Sequence, residues 1–257
     1  METGREKHRS VSGVIGEDRK MKRVKTRMFA GAVCEIAVWN QAEGEKPSLR
    51  VKRDRFASAE QYEEFKEAQA RRKFVQLVNA NHGPSSLKGT LTFDDANELY
   101  SFKDARKVRS IYVRRLRRRF PDAKIIIVMG RGDSTARIHF HYIMSGVSED
   151  AIRECWTWGE IVECKKLREH NVYDGVDHGQ DYTGLAQYYW KHWTPEQGGH
   201  HYYATRNHIR PKPEDPVEIK REYTVDKPPR APKGYVLVES KANIFGYLYF
   251  KYVKLVS

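Results

Sequence analysis

Cysteine is scarce in this chain, which carries Cys34, Cys155 and Cys164 and no others. An odd, sparse set builds no disulfide framework and points to a reducing, cytoplasmic setting. Cys155 and Cys164 stand nine residues apart and no C-x-x-C pair occurs, which is not zinc-finger spacing. Long apolar runs are missing too, and no segment approaches the ~20 residues that a membrane-spanning helix needs. The opening METGREKHRSVSGVIGEDRK has basic residues but no apolar stretch, so no secretory signal is expected. Neither G-x-G-x-x-G nor a P-loop occurs, which leaves nucleotide-cofactor use without support. Acid is outnumbered, with 34 Asp and Glu against 47 Lys and Arg, a formal net charge of +13 over 257 residues. Such an excess suits a polyanionic partner, nucleic acid first of all.

What is there is enough for a core, since 39% of residues are hydrophobic. Residues 1–23 are polar and aperiodic and read as a flexible tail. The stretch 24–40, VKTRMFAGAVCEIAVWN, reads as a strand. Ser58, with Gln61 three residues on, reads as the cap of a helix with Tyr62, Phe65, Phe74 and Leu77 as core candidates. In SLKGTLTF, Leu87, Gly89, Leu91 and Phe93 alternate with Lys88, Thr90 and Thr92, a strand pattern. Residues 96–120 are expected to be helical, with Val108, Ile111, Tyr112, Leu116 and Phe120 buried. KIIIVMG and ARIHFHYIM can pair as a hairpin across RGDST. A short helix at 148–154, a strand from Trp156 to Leu167, a helix over YTGLAQYYWKHW and a strand from His200 follow. Trp156 and Trp158 share a strand face in this reading. Residues 216–257 read as a Pro-rich linker and a closing β-hairpin. Strands in runs between helices predict an α+β fold with a mainly antiparallel sheet.

Arg114, Arg115, Arg117, Arg118 and Arg119 fill five of six consecutive positions on the second helix, a face suited to phosphates. Arg137 and Lys88, beside the two strand motifs, join the expected DNA contacts. In Arg137-Ile138-His139-Phe140-His141 the pleat puts both imidazoles on one face, where two nitrogens can hold a divalent cation. In Tyr188-Tyr189-Trp190-Lys191, Tyr188 and Lys191 share a helix face, while Tyr189 turns about 100° away. A phenol of pKa about 10 attacks as phenolate only with a cation close by. His178 reads as structural, and His200 and His201 as surface residues or DNA contacts.

Together these segments resemble the HUH endonucleases, and among them the rolling-circle replication initiators of plasmids and phages, over roughly residues 24–215. SLKGTLTF looks like the family's first motif, RIHFHYIM like its two-histidine motif and LAQYYWKHW like its tyrosine motif. The resemblance implies a central five-stranded antiparallel sheet with flanking helices and Mg²⁺ or Mn²⁺ on His139 and His141. It implies Tyr188 as the nucleophile, with Tyr189 as the alternative, and Lys191 as its partner. It also implies a single-stranded replication origin as substrate, a phage or mobile element in a bacterial cell, and a host helicase and polymerase as partners. Many relatives carry a glutamate on the strand before the histidines, where Gly130 stands here. Asp133, Glu160 or water are the candidates for that place. A relaxase, a transposase or a non-enzymatic nucleic-acid-binding regulator on the same fold are the competing readings.

Overall fold

The computed structural model describes residues 20–44, 57–99, 101–132, 137–173, 175–193, 200–243 and 246–255. The tail through residue 19, Asp133 and residues 194–199 lie outside these. The stretch expected as one strand at 24–40 is a hairpin of β1 (Met21–Ala30) and β2 (Val33–Ala42). Its turn passes through Gly31 at φ +61°, where a Cβ would lie 2.0 Å from the Asn79 carbonyl oxygen. Only glycine meets both demands. The apolar run crosses this turn without a polar break, so periodicity alone reads it as continuous. Met21, Lys22 and Arg23, assigned to the tail, belong to β1.

α1 (Ala59–Asn81) starts at Ser58, whose hydroxyl accepts from the Gln61 amide at 3.2 Å. Its second half buries Phe74, Val75, Leu77 and Val78, whereas Tyr62 and Phe65, expected in the core, are only half-buried. β3 (Leu87–Thr92) alternates as expected, with Leu87, Gly89 and Leu91 inward. α2 (Phe102–Arg119) follows a single 3₁₀ turn and buries Phe102, Ala105, Tyr112, Val113 and Leu116. β4 (Lys124–Arg131) and β5 (Ile138–Ser145) pair from Lys124↔Ser145 to Arg131↔Ile138. α3 (Glu149–Cys155) is capped by Ser148 and leads to β6 (Ile161–Lys166). Trp156 closes α3 rather than opening a strand, and packs with Trp158 under α2. A two-residue pair, β7 (Val172–Tyr173) and β8 (Val176–Asp177), precedes α4 (Thr183–His192). The strand expected from His200 is cut to β9 (Tyr203–Ala204), with β10 (Val217–Glu218) beyond it. β11 (Tyr235–Ala242) and β12 (Leu248–Lys254) form the closing hairpin.

The fold is α+β. One five-stranded antiparallel sheet runs β6-β3-β5-β4-β9 and a second runs β10-β1-β2-β12-β11. The second sheet joins the first hairpin of the chain to the last, with Leu248↔Val38 through Val253↔Val33 in register. On one face of the first sheet Leu91, Ile127, Phe140 and Tyr142 pack under α2 and α3. On the other, Ile126, Val128 and Ile143 meet Phe74, Leu77 and Val78 of α1 and Ala186, Tyr189 and Trp190 of α4. The continuous apolar β4 is thereby explained, because both of its faces are covered. The second sheet is tied to α1 through Glu35, which accepts from Arg72 Nη2 at 2.5 Å and Gln76 Nε2 at 2.9 Å. Among the described residues no helix is long and apolar enough to cross a membrane.

Beneath the end of β5, His82 and His208 are buried against each other with their Nε2 atoms 3.3 Å apart, and His82 Nδ1 meets Ser145 Oγ at 2.6 Å. Burial, then the nearby His208 and Lys124, push His82 down to about 3, and burial lowers His208 as well. A histidine whose folded pKa lies below its unfolded value of about 6.5 stabilises fully above pH 6.5 and loses that contribution as pH falls towards the folded pKa. Between pH 7 and 5, His82 alone is expected to remove about 2 kcal/mol. Urea midpoints across that range test this, with His82→Asn expected to flatten the profile.

Candidate functional site

The pleat of β5 divides its side chains between two layers. Ile138, Phe140, Tyr142 and Met144 enter the core under α2, while His139 and His141 face the side covered by α4. Their Nε2 atoms are 3.2 Å apart, a separation at which two imidazole nitrogens share a proton or a cation. Thr90, directly across from His141 on β3, places its hydroxyl 3.0 Å from His141 Nδ1 and so sets the ring's orientation. His141 is buried, and burial, reinforced by His139 and His192, pushes it down to about 3. It is therefore neutral near pH 7, the state a metal ligand requires.

α4 lies over these rings. Its first turn is held by Asp181, whose Oδ1 accepts from the Thr183 amide at 3.0 Å and whose Oδ2 takes Lys251 Nζ of β12 at 2.5 Å. The helix separates its adjacent tyrosines as its 3.6-residue period demands. Tyr188 is 50% exposed, 5.9 Å from the His141 ring and 4.0 Å from the His192 ring, centroid to centroid. Tyr189 is buried, stacks on His141 at 5.0 Å and donates its hydroxyl to the Tyr142 carbonyl at 3.1 Å. Burial pushes its phenol far above the ordinary value. Tyr189 is thus built into the core, and Tyr188 is the tyrosine open to solvent. Tyr189→Phe should cost about 1 kcal/mol by stranding a buried carbonyl, and Tyr188→Phe less than about 0.5 kcal/mol. Urea melts of the two variants compare them directly. Lys191, one turn after Tyr188, is exposed.

Two pockets flank the histidines. One, of about 360 Å³, holds His141, Thr90, Lys88, Glu163, Gly184 and Tyr188 on its wall. The other, of about 440 Å³, places His139 beside Thr92, Asp94, Arg137 and Glu160. Glu163 escaped the sequence reading. Burial works against its ionisation, but Lys165 at 3.2 Å and Lys88 at 3.3 Å hold the carboxyl below its usual value. Lys88 therefore stands at the site as an ion-paired side chain. Arg137 is likewise engaged, by Asp95 at 2.8 Å and by Glu98.

The arginine cluster is not brought to this place. α2 packs on the opposite face of the sheet, so Arg114, Arg115, Arg117 and Arg118 lie away from His141 and Tyr188. Arg115 bonds Thr157 Oγ1 at 2.9 Å and covers the Trp158 ring, Arg117 bonds the Pro121 carbonyl, and Arg119 meets Glu154 at 2.5 Å. The acid missing from the arginine run is supplied in part by Glu154 of α3. Arg114 and Arg118 are exposed.

Gly130 lies directly across from His139 in the β4–β5 ladder. A Cβ there would stand 2.9 Å from His139 Nε2 and 2.6 Å from the His192 carbonyl oxygen, so no side chain fits. Glu160 is exposed beside His139, and Asp133 is outside the described residues. His178 sits 3.9 Å from Asp181 at the start of α4, and His201 is sandwiched between Trp190 and Trp193, which makes it a packing residue. Among the described residues, no three His, Cys, Asp or Glu side chains stand grouped so as to hold a metal ion. His139 and His141 by themselves offer two convergent imidazole nitrogens, with one ring orientation fixed by Thr90. Comparison with protein-family models, curated proteins and solved structures gives no match.

Proposed function

We propose that this protein is a metal-dependent endonuclease and strand transferase of the HUH type, which nicks single-stranded DNA at an origin through Tyr188 and starts rolling-circle replication. The observation that carries this reading is the exposed Tyr188 hydroxyl-bearing ring beside two imidazoles whose Nε2 atoms converge at 3.2 Å. His139 and His141 would hold Mg²⁺ or Mn²⁺, which when bound neutralises charge developing on the scissile phosphate. Tyr188 Oη forms the bond to phosphorus as the bond to the 3′ oxygen breaks. The phenol proton leaves to solvent and the departing 3′ oxygen takes one up, giving a 5′-phosphotyrosine and a free 3′-OH. Lys191, one helical turn along, offsets the charge of the phenolate and of the crowded phosphate. Attack of a 3′-OH on the phosphotyrosine reverses the step and rejoins the strand. In this reading a host helicase would unwind the duplex and a host polymerase would extend the free 3′-OH.

The arginines of α2, on the far side of the sheet, support a role in holding flanking DNA rather than the reacting phosphate. The test is a covalent-adduct assay. Labelled single-stranded origin DNA, incubated with the protein and Mn²⁺, should give a protein–DNA band on a denaturing gel that EDTA prevents. Tight, salt-sensitive binding with no adduct from any origin fragment would instead support a non-enzymatic regulator, the reading favoured by Gly130 in place of an acid. Relaxase and transposase readings share the chemistry and differ in the DNA they select.

A further inference from the structure

We propose that the exposed face of α2 is a second nucleic-acid surface, which grips the backbone of double-stranded DNA on the side of the first sheet opposite Tyr188. This rests on the nicking reading only for the source of the duplex, the paired DNA beside the nicked strand, and its test reads binding alone.

Charge is the first support. Nine residues of α2 are Lys or Arg and one, Asp104, is acidic, so the helix carries a net +8 against +13 for the whole chain. The fold does not call for this. The helix dipole favours cations in the last turn, which accounts for Arg117, Arg118 and Arg119, but it disfavours Lys103 in the first. Like charges one turn apart, as in Lys103–Lys107, Arg114–Arg118 and Arg115–Arg119, weaken a helix. Asp104 offsets Lys107 and Glu154 offsets Arg119. Arg114 and Arg118 have no hydrogen-bond or ion-pair partner among the described residues, and an external polyanion supplies one.

Shape is the second support. At about 100° per residue, Lys103, Lys107, Arg114, Arg117 and Arg118 fall within one arc of about 100°. They run about 22 Å along a helix whose other side is fixed in the core by Tyr112, Val113 and Leu116. The major groove of B-DNA is about 12 Å wide, so a helix laid across it reaches the phosphates of both strands. Arg206 adds an exposed cation just past the helix end, beside Asn207, whose amide bonds the Asp122 carbonyl at 2.9 Å.

What the face lacks decides between duplex and single strand. Unpaired bases are held by stacking on aromatic rings. The exposed residues of α2 are Ser110 and seven Lys or Arg, while its two aromatic rings, Phe102 and Tyr112, are buried. The Trp158 ring alongside is already covered by the Arg115 guanidinium at 4.6 Å. No Asn, Gln, Asp or Glu is among the exposed residues to read base edges. Such a surface engages phosphates whatever the sequence.

The experiment is fluorescence anisotropy of the full chain with a labelled DNA duplex of roughly 30 base pairs without origin sequence, and with one of its strands alone, in EDTA over a range of salt. Arg114→Gln with Arg118→Gln should weaken duplex binding about 10-fold and lower the slope of log affinity against log salt by about 1.8, two phosphates' worth. Single-strand affinity should change less than about 3-fold. The control Lys212→Gln with Lys220→Gln removes two exposed lysines elsewhere and should change duplex affinity less than about 2-fold. Far-ultraviolet circular dichroism of each variant confirms that the helix persists. Equal losses in the two double variants would overturn the proposal, since net charge alone would then explain them. So would equal losses for duplex and single strand, or an RNA duplex bound at least about 10-fold tighter than the DNA one. The expected α2 effect in a protein that forms no covalent DNA adduct would leave this proposal standing and remove the nicking reading. An adduct with duplex binding untouched by the α2 variant would do the reverse.

Discussion

Tyr188→Phe should reduce covalent protein–DNA adduct by on the order of 10³-fold or more, because no other group can take over the bond to phosphorus. The variant differs from the native protein by one hydroxyl on a ring that is 50% exposed, so folding is expected to be unchanged. Its affinity for single-stranded DNA should also persist, since binding draws on the chain's basic side chains and the phenol hydroxyl carries no charge. The neighbouring Tyr189 offers no rescue. Its ring is stacked on His141 and its hydroxyl is committed to the Tyr142 carbonyl at 3.1 Å, out of reach of a phosphate. Denaturing gels and filter binding on the same preparations separate these effects. Full adduct in Tyr188→Phe together with none in Tyr189→Phe would remove Tyr188 from the mechanism.

Lys251→Ala should destabilise the protein by about 3–5 kcal/mol. Asp181 is 1% exposed, and its ammonium partner comes from the last strand, with Lys251 Nζ at 2.5 Å from Oδ2 and 2.7 Å from Thr183 Oγ1. Removing the lysine leaves a buried carboxylate without a counter-charge, which costs far more than the pair contributes over an apolar replacement. At about 2–4 °C per kcal/mol for a protein of this size, the melting temperature should fall by roughly 10 °C. The double variant Asp181→Asn with Lys251→Met removes both charges and should recover much of the loss. Asp181 also accepts from the Thr183 amide at the start of the helix that carries Tyr188, so adduct yield should fall with stability in the single variant. A change under about 0.5 kcal/mol in a urea melt would show that the pair is not held as the geometry indicates.

The shared face of the two histidines and the divergence of the two tyrosines were legible because such placement depends on short-range geometry. Alternation in β3 and β5 follows from the pleat, so His139 and His141 share a face whatever else the chain does. Adjacent helical tyrosines diverge by about 100°, so one of the pair had to turn inward. Ser58 and Ser148 announce their helices because a cap is satisfied within three residues. The place of Gly130 directly across from His139 came only with the register of β4 against β5.

The contact of the His192 ring with Tyr188 and His141 was not foreseen, although His192 stands four residues after Tyr188, one turn along the same face, because a histidine has no special standing until something is known to face it. The arginine helix was expected to face DNA phosphates on charge alone, with no place relative to the histidines. Periodicity identifies which side of α2 is buried but is silent on which face of the sheet buries it, and that choice puts the arginines across the sheet from Tyr188. The N-terminal hairpin was hidden by an apolar run continuous through Gly31, and its partner strand is more than 200 residues away in sequence. By itself, then, the sequence determined the α+β character, the shared face of the two histidines and the exposure of one tyrosine, all set by bonds within a few residues. Only the tertiary structure decided the second sheet, the Lys251–Asp181 lock on α4 and the meeting of His192 with Gly130. These rest on contacts between segments far apart in the chain, chosen by the burial and pairing of the molecule as a whole.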